Sequence, residues 1–236
     1  PMAEELRQQV PVIKEVLQAM GVLTIECAGL EADDLLGTLS KRCEEKGMEV
    51  SVISGDRDLL QLATDHVKIR IPKTKQGRTE VEDYYAKDVK EKYQVTPQEF
   101  IDLKALMGDA SDNIPGVPSI GEKTATKIIA EYHSIENAHD HVEELKPPRA
   151  SKALREHWDM AVMSKKLATI NVTADFPYEL NEAKLGSLYT EEAYDYFQKL
   201  QFKNLLSRFD VTKAAEKVEE GFLEISDLYT AKQVFF

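Results

Sequence analysis

The chain has 236 residues, a net charge of −12 and a hydrophobic content of 42%, so it can form one large or two small soluble domains. It has no apolar run near the roughly 20 residues of a membrane span and no secretory signal at its start, so we expect a cytoplasmic protein. Cys27 and Cys43 form no CxxC pair, which argues against a zinc site and favours free thiols.

The first half of the chain alternates helical and strand patterns. Apolar residues recur at the helical period across residues 4–20, and Gly21 follows as a stop signal. A short strand pattern at residues 22–26, a helix at 33–46 and a strand at 49–54 then make a βαβ unit, whose strands should be parallel. Residues 67–71 are predicted to form a third strand.

Two acidic clusters follow the first two predicted strands. One contains Glu31, Asp33 and Asp34, and the other contains Asp56 and Asp58. Ligands of open parallel sheets bind beyond the carboxyl ends of the strands, so these carboxylates should face one another across one sheet edge. Their mutual repulsion favours a divalent-cation site. The alternative is that the first cluster simply caps the helix that follows it.

A third acidic cluster stands just past a helix. Thr96 begins a capping box with proline at the first helical position, and Gly108 ends the predicted helix. Asp109 and Asp112 come next, where the helix dipole disfavours acids, so a bound cation is one explanation. A turn built on aspartate and asparagine before Pro115 is the other.

A glycine-bracketed hairpin, GVPSIG at residues 116–121, leads from the third cluster into another predicted helix. Glycines let backbone amides approach a phosphate closely, without reading any base. The net negative charge argues against a nucleic-acid partner unless basic residues concentrate on one face. The residues predicted to contact DNA are Gly116, Gly121, Lys123, Thr124 and Lys127.

Several motifs together resemble the 5′ nuclease domain of bacterial DNA polymerase I, kin to the flap endonucleases. They are EADD at residues 31–34, SGDRDLLQL at 54–62, LMGDASDN at 106–113 with the hairpin through Ala125, and MAVMSKKLAT at 160–169. The resemblance spans roughly residues 3–210. It implies metal-dependent hydrolysis of a phosphodiester at 5′ ends or flaps of duplex DNA by a nucleoid-associated bacterial monomer, continuous with polymerase domains.

The resemblance also implies an architecture: an α/β, PIN-like parallel-sheet core at residues 1–95, an all-helical helix-hairpin-helix subdomain at 96–210, and a linker into a further domain at 211–236. It implies two or more Mg²⁺ or Mn²⁺ ions, with Asp56, Asp58 and Asp112 as catalytic residues. A potassium ion is expected on the hairpin carbonyls of Val117 and Ile120. The expected metal ligands are Glu31, Asp33, Asp34, Asp56, Asp58, Asp109 and Asp112.

Two departures from the family pattern set further expectations. The family's first strand, with its aspartate, and its basic arch have no counterpart here, so we expect a chain truncated at its N-terminus. Ser119 replaces a common glycine, which would be unfavourable if the position has positive φ. Two other functions stay open: a non-catalytic duplex-binding module and a magnesium-dependent phosphatase. Arg57, between two acids, would contact phosphate or balance their charge.

Overall fold

The computed structural model of the chain describes residues 3–75 and 77–209. Contacts divide the chain into two compact units, one formed by Pro1–Glu26 with Pro177–Phe236 and the other by Cys27–Phe176. The predicted boundary near residue 95 stays a prediction, and the predicted linker at 211–236 lies outside the described residues. No helix among the described residues is both long and apolar enough to cross a membrane.

The first unit is helical. Its helices are α1 (Glu4–Ala19), α9 (Glu191–Lys199) and the short α10 (Lys203–Leu206), with a 3-10 turn at Leu180–Ala183. Thr190 caps α9 and its hydroxyl also donates to the Ala19 carbonyl, 2.6 Å away, which ties the two longer helices together. Phe197 is fully buried and contacts the rings of Phe202 and Phe209. The predicted helix at residues 4–20 is confirmed, with Gly21 at φ +69° directly after its C-cap.

The second unit contains a three-stranded sheet of order β1-β2-β3. β1 (Val50–Ile53) pairs in parallel with β2 (Val67–Lys75), so both segments predicted as strands are confirmed as strands. β3 (Arg78–Tyr84) pairs with β2 in the antiparallel direction and was not predicted. A 3-10 turn at Asp58–Leu62 connects β1 to β2.

The predicted strand at residues 22–26 is wrong. These residues form no ladder with any described strand; the Val22 amide instead donates to the Leu17 carbonyl of α1 at 2.9 Å. The helix α2 (Ala32–Glu45) exists as predicted and ends before Gly47, at φ +75°. The first acidic cluster therefore follows a loop, and the predicted βαβ unit is absent from the described residues.

Six more helices complete the second unit. They are α3 (Ala86–Tyr93), α4 (Pro97–Met107), α5 (Glu122–Tyr132), α6 (Ile135–Asp140), α7 (Pro148–Glu156) and α8 (Trp158–Ala168). One apolar core runs from the sheet residues Val67 and Ile69 to Ile128 and Leu154 of these helices. Sheet and helices therefore share a continuous interior, which fixes the loops that carry the acidic residues.

A chain segment after α8, which we call the return segment (residues 168–174), lies across α2 and the 3-10 turn. Gln61 binds it with both ends of its amide: Nε2 donates to the Ala168 carbonyl at 2.9 Å, and Oε1 accepts from the Ile170 amide at 3.0 Å. The hydroxyl of Thr38 donates to the Asn171 carbonyl and accepts from the Ala174 amide, at 3.1 and 3.0 Å. The segment thus holds α2 against the sheet.

Candidate metal centre and nucleic-acid interface

Asp58 is placed by a short polar turn after β1. The hydroxyl of Ser54 accepts from the Asp56 amide at 3.1 Å, and Asp56 Oδ1 accepts from the Asp58 amide at 2.8 Å. Leu59 and Leu60 follow at zero exposure, so the 3-10 turn is anchored in the core. A rigid turn with a buried apolar anchor holds the Asp58 carboxylate at the carboxyl end of β1, where the sequence places a site.

Asp109 and Asp112 lie in a tight loop after α4. Gly108 ends the helix at φ +73°, and Asp109 and Ile114 exchange two backbone hydrogen bonds of 2.9 Å. The loop closes because Gly116 lies directly against Gly108: a Cβ on Gly116 would stand 2.4 Å from the Gly108 nitrogen. Neither position therefore accepts a side chain. The two glycines explain how the third acidic cluster is turned back beside α4.

Three of the predicted carboxylates converge. Asp58, Asp109 and Asp112 each contribute an oxygen, and these oxygens lie within 4.8 Å of one another. Asp58 Oδ1 is buried and receives no hydrogen bond from the described residues. Its charged contact among these residues is an ion pair with Lys104, at 2.5 Å. Three hard oxygen ligands this close together fit a divalent cation.

Lys104, which the sequence analysis did not single out, stands between two of these acids. Its side chain is 8% exposed; Nζ lies 2.5 Å from Asp58 Oδ1 and donates to Asp109 Oδ2. The contact to Asp58 is an ion pair that lacks the alignment of a hydrogen bond. Burial works to lower the pKa of Lys104, but the bonds to Asp109 and Asp58 leave it raised.

Lys104 lowers the pKa of both acids, yet their net shifts have opposite signs. Burial raises the pKa of Asp58, and Lys104 opposes this only in part. The hydrogen bonds from Lys104 and then Ser111 lower the pKa of Asp109 to about 2. The net pKa shifts differ for two reasons. Burial is the largest cause for Asp58, whereas Asp109 also accepts a hydrogen bond from the Ser111 amide at 2.8 Å.

The first acidic cluster contributes less directly. Burial raises the pKa of Asp33, and the charges of Asp56, Glu31 and Asp58 raise it further. Asp34 is occupied by the backbone, since Oδ1 accepts from the Asn171 amide at 2.9 Å and Oδ2 from the Glu31 amide at 3.5 Å. The capping alternative thus describes Asp34, while Asp33 adds negative potential to the site.

An open cleft surrounds the three converging acids. Gly55, Asp56 and Arg57 line one side, and an apolar wall includes Tyr93 and Phe100. Arg57 is exposed and forms no ion pair with any described residue, which disfavours its charge-balancing role. Glu122, the first residue of α5, lines the same cleft and was not predicted. The sequence feature that could have indicated Glu122 is its position directly after Gly121, the last glycine of the hairpin.

Several groups of the hairpin at residues 116–121 are used in contacts within the protein. The Gly116 amide donates to the buried Ser164 hydroxyl at 3.0 Å, so it cannot also donate to a phosphate, and the predicted contact through this amide is corrected. Val117 and Ile120 are buried, and the Val117 carbonyl accepts from the Ile120 amide at 3.1 Å. Ser119 has φ +68°, the conformation that the sequence analysis identified as unfavourable for serine.

The start of α5 presents free donors. In the described part of the chain, the amides of Gly121, Glu122 and Lys123 donate to no protein acceptor. Lys123 and Lys127 are exposed, and Thr124 is partly buried with its amide bonded to the Gly121 carbonyl. Unsatisfied amides and the positive end of the helix dipole make this terminus suited to an anion.

Two family models match adjoining parts of the chain. Residues 1–94 match the N-terminal resolvase-like domain of 5′-3′ exonucleases, and residues 95–191 match their C-terminal SAM fold. Curated relatives include DNA polymerase I of Bacillus caldotenax, 43% identical over 213 residues, and of Bacillus subtilis (strain 168), 41% identical over 222 residues. These alignments cover 90% and 94% of this chain but only 24% and 25% of the relatives, so the chain spans about a quarter of their length.

Solved structures of similar fold include the D15 flap endonuclease of bacteriophage T5, in a complex with DNA and metal ions. It is 28% identical with a TM-score of 0.54, over 64% of this chain and 53% of that one. The T5 5′-exonuclease with divalent metal ions (zinc) has a TM-score of 0.58 at 24% identity, covering 86% and 72% of the two chains. The predicted fold class is confirmed: a nuclease α/β domain followed by a helical SAM-like fold.

Proposed function

The chain belongs to the 5′-3′ exonuclease family, and from this premise we propose that it hydrolyses phosphodiester bonds at 5′ ends or flaps of duplex DNA. The observation that carries the proposal is the convergence of Asp58, Asp109 and Asp112, whose carboxylate oxygens lie within 4.8 Å of one another. The T5 flap endonuclease, whose structure contains DNA and metal ions, supports the same substrate and cofactor class.

The three carboxylates would hold divalent cations, Mg²⁺ or Mn²⁺, which when bound supply an activated water and stabilise charge on the leaving oxygen. Asp33 and Asp56 strengthen the negative potential that attracts these cations. Arg57, exposed on the cleft and free of ion pairs to described residues, is placed to bind the scissile phosphate. The apolar wall of Tyr93 and Phe100 limits water on one side.

The duplex itself would rest on the start of α5. The amides of Gly121, Glu122 and Lys123, which have no acceptor among the described residues, and the exposed ammonium groups of Lys123 and Lys127 would contact phosphates rather than bases. The Val117 and Ile120 carbonyls would hold a potassium ion that links this hairpin to a phosphate. Because Glu122 begins the same helix and lines the acidic cleft, a duplex on α5 lies beside the metal site.

The test compares Asp58→Asn with the parent chain and with Asp65→Asn, which removes an exposed acid outside the cluster. Mn²⁺ calorimetry should show binding that weakens at least about tenfold in Asp58→Asn, because a buried charged ligand is lost. On a labelled 5′-flap duplex in Mg²⁺, the single-turnover rate should fall by about two decades, near 3 kcal/mol. Asp65→Asn should match the parent in both assays.

Two results would contradict the proposal. One is unchanged Mn²⁺ binding in Asp58→Asn, since the cluster would then not be the metal site. The other is tight duplex binding by the parent chain with no cleavage in Mg²⁺ or Mn²⁺, which would favour the non-catalytic duplex-binding module. Cleavage of small phosphate esters without any effect of a duplex competitor would favour the phosphatase.

A further inference from the structure

Lys104 is an unusual residue for the interior of a helix. Lysine is rarely buried, because a desolvated ammonium must be paired to be tolerated. Here the side chain is 8% exposed on α4, a helix whose residues from Phe100 to Leu106 are all buried. Lys104 therefore places a charge among buried side chains.

The partners of Lys104 are two of the three converging acids. Nζ lies 2.5 Å from Asp58 Oδ1 and donates to Asp109 Oδ2, and these acids are only 13% and 19% exposed. The Lys104 ammonium thus forms ion pairs with two of the three carboxylates of the candidate metal centre. A cation placed on these oxygens would meet a fixed positive charge within a few ångströms, which disfavours its binding.

The same contact has a stabilising side. Without a cation, three acids at this distance repel one another. Lys104 offsets part of that repulsion and keeps Asp58 and Asp109 on the same side of the cleft.

We propose that Lys104 acts as an internal counter-cation of the metal centre. It is a positioning residue that holds Asp58 and Asp109 in place while the centre is empty, and it lowers the affinity of that centre for divalent cations by competing for the same oxygens. The inference rests on the proposed function, because it assigns Lys104 a role toward the cations proposed there. Its consequence is a centre that is preformed and binds its cations weakly and reversibly.

The experiment replaces Lys104 by methionine, which keeps an unbranched apolar stem, one atom shorter, and removes the charge. Calorimetry with Mn²⁺ alone should show binding to Lys104→Met at least about tenfold tighter than to the parent chain, because a nearby like charge is gone. Thermal unfolding in EDTA should show a lower midpoint for Lys104→Met, since the acids then repel without compensation. Saturating Mn²⁺ should raise that midpoint by more than it raises the parent's.

Two further variants make the comparison specific. Lys104→Arg keeps the charge and should keep the Mn²⁺ affinity within a few-fold of the parent. Lys165→Met breaks a second partly buried ion pair, with Asp102 at 2.7 Å, outside the three acids. It should lower the unfolding midpoint in EDTA and leave the Mn²⁺ affinity unchanged. If Lys104→Met does not fold, Lys104→Gln, which retains a hydrogen-bond donor, carries the same measurement.

The outcomes separate the two proposals. A parent chain that binds Mn²⁺, with uncharged Lys104 variants that bind it equally or more weakly, overturns the counter-cation role and leaves the metal centre standing. If neither the parent nor the Lys104 variants bind Mn²⁺, the proposed function fails at its own premise. Tighter binding by Lys104→Met and also by Lys165→Met would point to a general charge effect and would overturn the role as well.

Discussion

Ser119 holds a backbone conformation that a side chain disfavours. Its φ of +68° is in the left-handed region, yet the residue is exposed on the hairpin and its side chain forms no hydrogen bond among the described residues. Ser119→Gly should relieve this strain and raise the free energy of unfolding by up to about 1 kcal/mol, after the entropy cost of glycine in the unfolded chain. Urea unfolding of the parent and the variant measures the difference.

Ser51→Gly is the matched control, because Ser51 is exposed but lies in β1 with extended backbone. It should lose stability, since glycine weakens a strand. Equal losses in the two glycine variants would show that position 119 carries no strain.

At the level of single residues, three of the seven carboxylates predicted as metal ligands converge among the described residues, and Lys104 was not predicted. Asp58, Asp109 and Asp112 stand in short polar segments after a predicted strand or helix, so their places in the chain indicated where they would lie. Lys104 was hidden inside a regular helix. It could have been found from the helical period, because positions 100, 103, 104 and 107 share one face and only Lys104 among them is charged. Its pairing with two distant acids needed the tertiary structure.

The loop after α4 depends on a contact between two backbone segments. A methyl group on Gly116 would overlap the Gly108 nitrogen, and Gly116 also has φ +63°. Gly116→Ala should therefore lower the free energy of unfolding by about 3 kcal/mol and disturb the position of Asp109 and Asp112. Denaturant unfolding measures the first effect, and Mn²⁺ calorimetry measures the second as weaker binding.

Gly121→Ala is the control for the same hairpin. Nothing lies within 4 Å of a Cβ at Gly121, and its φ of −95° suits any residue. Its stability should stay within about 0.5 kcal/mol of the parent. A tolerated Gly116→Ala would mean that the two glycines do not touch in solution.

Helices were predicted more accurately than strands, for a physical reason. The helices α1, α2, α4 and α5 carry their stop and cap signals locally, in Gly21, Gly47, Gly108 and the residues of the capping box. A strand needs a partner elsewhere in the chain, and residues 22–26 have none among the described strands. β3 was missed because most of its residues are exposed and its sequence shows no apolar face.

For the molecule as a whole, a net charge of −12 and a polyanionic partner are in apparent conflict. The conflict is resolved if a few basic groups and free amides at α5 make the phosphate contacts. Lys123→Ala should weaken duplex binding without sequence preference and reduce the slope of log affinity against log salt by about 1. Fluorescence anisotropy in Ca²⁺ at several potassium concentrations provides the slope.

Lys87→Ala removes an exposed lysine on α3 and serves as the control for that series. Its slope should equal the parent's. A similar loss for both lysines would mean that DNA senses only the overall charge, and the phosphate contact at α5 would lose its support.

The return segment affects the order in which this protein can fold during translation, because it is synthesised long after the helix that it covers. The side chains of Thr38 and Asp34 accept hydrogen bonds from the amides of Ala174 and Asn171, which lie 136 and 137 positions further along the chain. A Cβ on Gly37 would stand 2.9 Å from the Ile170 side chain. At the usual pace of translation, α2 leaves the ribosome about 7 to 27 s before the residues that cover it. During that interval its small, polar face has no partner from the return segment. Because this face carries Asp34, Gly37 and Thr38, it exposes little apolar surface that could cause aggregation before the return segment is synthesised.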